Sequence, residues 1–189
     1  MQRVAIIGVR PVVALFFKTG GFIVEIKIGD YVIYKKDTCQ IKEIKKNKFN
    51  NNDYLVLRPI DDESLKIEIP VATCGELLRK PIDKAEVMRL IARIPEIDVI
   101  SCNEKLIEAE YKNLLSSGSH EDLIKIIKTT YLRNKKRLDN KKKIGDKDNY
   151  YFKKAERYLY NEFSISLNMS FENTKDYITE QVASLVENK

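Results

Sequence analysis

The spacing of apolar residues changes once along the chain, near residue 82, and this change limits the possible folds more than any other feature. Between residues 24 and 81, apolar and polar residues alternate, as in "YVIY" (31–34) and "LKIEIP" (65–70). This alternation is typical of half-buried β-strands. From Asp83 onward, apolar residues recur every three or four positions, which indicates amphipathic helices. Strands that all precede the helices predict an α+β protein.

The first part of the chain is predicted to form a small antiparallel β-barrel. Strands are expected at 31–34, 39–46, 54–60 and 65–70, with turn-rich breaks at "NKFNNND" (47–53) and "DDES" (61–64). Because so many short strands lie within about sixty residues, the sheet is expected to bend strongly. We predict a β domain over residues 24–82.

The second part, residues 83–189, is predicted to be an all-α bundle. Helices are expected at 83–94, 103–118, 119–140, 146–168 and 170–188. Asp83 with Glu86, and Ser119 with Asp122, have the spacing of capping boxes, and Gly118 is suited to end a helix.

Residues 1–23 are interpreted as translated leader sequence outside the fold. The "TGG" at 19–21 could be encoded by a purine-rich ribosome-binding sequence, and Val24 could then be a GTG start codon. The apolar stretch from Val4 to Phe17 is interrupted by Arg10 and Pro11, so it makes a poor signal peptide or membrane span.

Positive charge is concentrated in the helical part. The chain of 189 residues has a net charge of +6. Residues 123–157 contain 13 Lys and Arg against 4 Asp and Glu, whereas residues 24–81 are nearly balanced, with 11 against 10. A cluster of cations is what phosphate binding requires, so nucleic acid is the expected partner, although a solvated lysine-rich surface would give the same pattern.

No residue pattern for catalysis is found. The single histidine, His120, lies at a predicted helix start, and the three cysteines form no CxxC pair. Nucleotide-binding and nucleophile loops are absent from the sequence. We therefore predict a cytoplasmic protein that is not an enzyme and has no metal, cofactor, small-molecule ligand or membrane partner.

Four segments of the chain, two in each part, resemble the CarD/CdnL family of bacterial transcription regulators. "IGDYVIY" (28–34) and "YLVLRPIDDESLKIEIPV" (54–71) resemble its N-terminal module, which also occurs in the transcription-repair coupling factor. "YKNLLSSGSHEDLIKIIKTTYLRNKKR" (111–137) and "YFKKAERYLYNEFSISLNMS" (151–170) resemble the family's helical domain. The resemblance as a whole covers about Glu25 to Val186.

The resemblance implies a Tudor-like module that binds the RNA polymerase β subunit by strand pairing, and a helical domain that contacts promoter DNA and stabilises the open complex. The residues it places against polymerase are Lys45, Lys46, Lys48, Leu65, Ile67, Glu68 and Ile69. The expected DNA contacts are Ile100, Lys128, Arg133, Lys135, Lys136, Arg137, Lys141, Lys142 and Lys143.

The sequence departs from the family pattern at two positions. Glu68 stands where a basic residue is common, which affects charge pairing with polymerase. The family's tryptophan wedge corresponds to a position near Ile100, and this chain contains no tryptophan. An isoleucine is still an apolar wedge, but it has neither the indole donor nor its stacking area. The alternative function is an RNA- or ribosome-associated module with a KOW- or Tudor-like barrel.

The leader hypothesis predicts the mass of the native protein. We expect intact-mass spectrometry of protein purified from its natural host to give a chain that begins at residue 24. A mass that includes residues 1–23 would refute the hypothesis.

Overall fold

The computed structural model describes residues 14–19, 22–46 and 53–187, with side chains from residue 25 onward. The chain divides into two compact units, one ending at Pro81 and the other beginning at Ile82. Each unit is built around a hydrophobic core of its own. No helix in the described part of the chain is long and apolar enough to cross a membrane.

The first unit contains two antiparallel sheets. Strands β1 (Ala14–Thr19) and β2 (Phe22–Lys27) form a hairpin. The larger sheet contains β3 (Tyr31–Tyr34), β4 (Asp37–Lys45), β5 (Tyr54–Pro59), β6 (Ile67–Pro70) and β7 (Leu78–Arg79). Its strand order is β6-β5-β4-β3-β7. The mixed α+β class is confirmed, but closure into a barrel is not, because no described pairing joins β6 to β7.

Alternating side chains of the larger sheet form the core of this unit. On β4, Cys39 and Ile41 are fully buried, and they meet Leu55 and Leu57 of β5. Burial raises the pKa of the Cys39 thiol to about 12, so the thiol is protonated at neutral pH. This confirms the interpretation of Cys39 as a small core residue. A short helix, α1 (Cys74–Leu77), adds the buried Cys74.

The second unit is helical. It contains α2 (Lys84–Arg93), α3 (Ile107–Ser117), α4 (His120–Asp139), α5 (Asp146–Leu167) and α6 (Phe171–Glu187), with one 3-10 turn at Ile94–Glu96. All five predicted helices are therefore present. Their buried side chains form one core, which includes Val87, Ile91, Tyr111, Leu123, Ile126, Leu159, Phe163 and Ile178.

The predicted helix caps are largely confirmed. The Asp83 carboxylate accepts the Glu86 N–H at 2.7 Å, and Ser119 Oγ accepts the Asp122 N–H at 3.1 Å. Gly118 ends α3 with a φ of 68°. The predicted start of α3 at Asn103 is wrong, because the Asn103 side chain accepts the Lys105 N–H and stabilises a turn before the helix.

The leader hypothesis stays a prediction. Residues 1–13 lie outside the described part of the chain. Residues 14–19 pair with β2, in a register from Ala14 opposite Lys27 to Thr19 opposite Phe22. The predicted turn at 47–53 also falls outside the description, except for Asp53.

Candidate nucleic-acid interface

The basic loop, residues 140–145, connects α4 to α5 and has a defined backbone conformation. The Lys142 N–H donates to the Arg137 carbonyl, and the Lys141 N–H donates to the Leu138 carbonyl, both at 2.8 Å. These two bonds form a Schellman motif at the end of α4. Lys141 has a φ of 56°, at the position that glycine usually occupies. Lys141 therefore occupies a backbone conformation that disfavours residues other than glycine.

Two further hydrogen bonds tie the basic loop to α4. Arg137 Nε donates to the Lys143 carbonyl at 2.9 Å. The Gly145 N–H donates to Asn134 Oδ1 at 3.1 Å. Because the loop turns back on the last part of α4, its lysines lie beside those of the helix.

Cations from α4 and the basic loop surround one cleft of about 270 Å³. Lys136 and Lys142 are exposed there, and Glu104 is the acidic residue of the lining. Residues 135–146 contain six Lys and Arg against two Asp, so the local charge is strongly positive. The cleft is lined by Glu104, Arg133, Lys136, Arg137, Asn140 and Lys142. Lys135, Lys141 and Lys143 are exposed outside this lining.

Arg133 is engaged within the protein. Its Nη2 contacts both Glu104 oxygens at 2.8 and 2.9 Å, and its Nε donates to Asp148 Oδ2 at 3.0 Å. The Tyr111 hydroxyl donates to the other Asp148 oxygen at 2.9 Å. Hydrogen bonding with Glu104 raises the pKa of Arg133 and lowers that of Glu104. Two carboxylates offset the single Arg133 charge, so it adds little to the positive field.

Lys128 is also engaged within the protein, away from the basic loop. Its Nζ donates to the carbonyls of Ile94, Pro95 and Ile97 at 3.1, 2.9 and 2.6 Å. These carbonyls belong to the 3-10 turn that follows α2 and to the residue after that turn, and the Ile94 carbonyl also accepts the Ile97 N–H at 3.3 Å. Arg137 follows Lys128 by nine positions, a distance of about 13.5 Å along α4.

Ile100 packs against the core of the helical unit. It is half-buried, and its N–H donates to Thr129 Oγ1 at 2.9 Å. Its neighbour Val99 is 40% exposed and is the more accessible apolar side chain of this segment. Sequence reasoning could not separate these neighbours, because the segment is irregular and has no periodicity.

The predicted polymerase-binding residues lie at and near β6, an edge strand of the larger sheet. Glu68 is exposed, with Lys45 Nζ 3.4 Å and Lys66 Nζ 2.8 Å from its Oε1. The Lys66 hydrogen bond and the two charges lower the Glu68 pKa. Lys46 and Leu65 are exposed, Ile67 is half-buried and Ile69 is buried. Lys48 lies outside the described residues.

The hydrogen-bonding direction along β6 follows from its register. The Val71 N–H donates to the Asp53 carbonyl at 2.8 Å, and Ile69 and Ile67 lie opposite Leu55 and Leu57. Because backbone direction alternates along an antiparallel strand, the N–H and carbonyl of Glu68 face away from the sheet. Pro70 has no N–H, so Glu68 is the position of β6 that offers both groups to an incoming strand.

His120 has a structural role that sequence reasoning missed. Its Nε2 lies 3.0 Å from Oε2 of Glu162, a buried carboxylate that also accepts the Ile82 N–H at 3.1 Å. The sequence indicated only that His120 lies at a predicted helix start. The partner lies 42 residues away along the chain, and no local pattern indicates it.

No family model matches the chain, and no curated protein matches it. The resemblance to the CarD/CdnL family therefore rests on the sequence motifs alone.

Replacing Lys128 should reduce stability and leave DNA affinity unchanged. We expect Lys128→Met to lower the free energy of unfolding by about 2 kcal/mol, because three carbonyls lose a charged donor. Urea denaturation followed by circular dichroism measures this change. Lys135→Met is the matched control on the same helix and should alter stability by less than about 0.5 kcal/mol. Lys128→Met with wild-type stability and weakened DNA binding would contradict the assignment.

Proposed function

We propose that this protein is a non-enzymatic, cytoplasmic transcription regulator that docks on the RNA polymerase β subunit and contacts promoter DNA. The observation that carries the proposal is the cationic cleft at the end of the α4–α5 hairpin. The motifs that resemble the CarD/CdnL family supply the expected partners. In this proposal, the five-stranded sheet is a Tudor-like module.

The DNA-binding part of the proposal rests on lysines whose side chains form none of the described hydrogen bonds. Lys136 and Lys142 line the cleft, and neither side chain has a described bond to the protein. Lys135, Lys141 and Lys143 extend the surface on either side. Such a cluster binds phosphates with release of counterions, so binding should depend strongly on salt and weakly on sequence.

The polymerase half of the proposal rests on the β6 edge. An edge strand can accept a strand from another protein through its free backbone groups. On β6 these groups belong to Glu68, whose side chain lies between Lys45 and Lys66. Once the sheet is docked, a weak basic surface gains effective concentration for nearby DNA.

Reversing the charge of two cleft lysines should weaken DNA binding. For the variant Lys136→Glu/Lys142→Glu, we expect DNA affinity to fall at least about tenfold in moderate salt. The slope of log K against log salt concentration should decrease in magnitude by about 2, because each phosphate contact contributes about 0.9. Fluorescence anisotropy with labelled duplex DNA measures both quantities.

A control variant separates local charge from net charge. Lys84→Glu/Lys105→Glu changes the net charge equally at two exposed positions of the same unit, outside the cleft. It should keep nearly wild-type DNA affinity. Equal losses in both variants would refute the cleft as the interface, and a clear preference for structured RNA over DNA would favour the alternative function.

Removing the outward N–H of β6 should abolish polymerase docking. We expect Glu68→Pro to eliminate binding of the full chain to a purified β-subunit lobe, because the edge loses the donor that strand pairing requires. Glu68→Ala removes the carboxylate but keeps the N–H, so it should bind within about threefold of wild type. Biolayer interferometry measures both variants.

A circular dichroism spectrum must show that Glu68→Pro keeps the wild-type fold. Its DNA affinity should also equal that of the wild type, because the substitution lies in the other unit. Unchanged polymerase binding by folded Glu68→Pro would rule out docking through this edge.

A further inference from the structure

The helical unit contains an apolar groove that the proposed function does not use. It has a volume of about 370 Å³ and lies among α4, α5 and α6. This volume falls within the range of small-molecule sites in proteins. Its apolar walls are formed mainly by Ile124, Ile127, Leu159, Ile178 and Val182.

Glu156 is the acidic residue of the groove. The residue is only 7% exposed, and burial raises the pKa of its carboxyl group. Lys175 Nζ lies 3.4 Å from Oε1, at the long end of hydrogen-bonding distance. The other oxygen, Oε2, accepts no hydrogen bond from any described residue. A buried carboxylate with a free acceptor can bind a donor from a ligand.

Tyr160 lies one helical turn after Glu156 and also lines the groove. It is 6% exposed, and burial, with a smaller effect of the Glu156 charge, raises the pKa of its hydroxyl. That hydroxyl makes no hydrogen bond to the described part of the chain and is not one of its enclosed, unpartnered polar atoms, so it is accessible from the groove. Residues four apart on a helix are neighbours on one face, and the Glu156 charge acts on the Tyr160 hydroxyl, so both groups line the same side of the groove.

The charges around the groove favour an uncharged ligand. The three donors of the Lys128 ammonium are already used by backbone carbonyls. A ligand anion bound to the Tyr160 hydroxyl would lie beside the Glu156 carboxylate, and a ligand cation would face two lysines. A neutral donor–acceptor pair avoids both repulsions.

We propose that this groove binds an uncharged, largely apolar small molecule whose polar edge carries a hydrogen-bond donor beside an acceptor, as in an amide. The donor of the ligand binds Glu156, and its acceptor binds the Tyr160 hydroxyl. The apolar part of the ligand packs against the isoleucine walls. This proposal departs from the expectation, drawn from the sequence, that the protein takes no small-molecule ligand.

Three probes with the same apolar body test the proposal on the full chain: 4-butylbenzamide, the 4-butylbenzoate anion and 4-butylbenzylammonium. Titrations are followed by NMR of protein labelled at the isoleucine methyl groups. We expect the amide to shift the Ile127 and Ile178 methyl signals and to bind about fivefold more tightly than either charged probe. The Ile41 signal, from the other unit, should not move.

One variant tests a polar contact, and a second variant is its control. Tyr160→Phe removes a hydroxyl that has no described partner, so it should keep the thermal midpoint of the wild type and weaken amide binding about fivefold. Glu180→Gln, at an exposed position on α6 outside the groove, should bind like the wild type. The proposal is overturned if groove methyl signals do not shift with the amide, if a charged probe binds as tightly, or if Tyr160→Phe binds the amide unchanged.

Discussion

A charge network around the buried Asp148 carboxylate connects three helices of the helical unit. Arg133 of α4 donates to this carboxylate, Tyr111 of α3 donates to its other oxygen, and Arg133 also reaches Glu104 before α3. The network therefore joins the start of α5 to two other helices, next to the basic loop. Removing one partner of such a pair would leave a buried charge uncompensated, at a cost of about 3–5 kcal/mol. The basic loop has hydrogen bonds of its own to α4, and the network fixes the helices at both of its ends.

The cations of this region have different structural roles. Arg133 and Lys128 satisfy buried or helix-end acceptors, so their charges are used to hold the fold. Arg137 binds a loop carbonyl, and Lys141 occupies a left-handed backbone position. The remaining cations of the cleft, Lys136 and Lys142, have no side-chain hydrogen bond to any described residue. A count of lysines along the sequence locates the basic region. The side-chain contacts then indicate which of its lysines are available to a partner.

The sequence predicted what depends on local spacing. The helices were predictable because apolar residues recur at helical intervals, and the Asp83 and Ser119 caps because a cap acts within one turn. It could not predict contacts between distant residues, such as the His120–Glu162 pair or the engagement of Lys128 with the end of α2. The start of α3 was misplaced because Asn103 is as well suited to an Asx turn as to a helix cap. Barrel closure depends on strand bending, which alternation does not encode.

The two candidate sites of the helical unit differ in what would control binding. At the basic loop, charge is dense and exposed, so salt will control any binding there. In the apolar groove, the polar contacts would come from Glu156 and Tyr160, which are both buried. Hydrogen-bond geometry will therefore control binding there, and salt will matter little. Both sites use α4 and α5, the first through their connecting loop and the second through their packing against α6. A ligand that spreads these helices from α6 would therefore act on the scaffold that holds the basic loop.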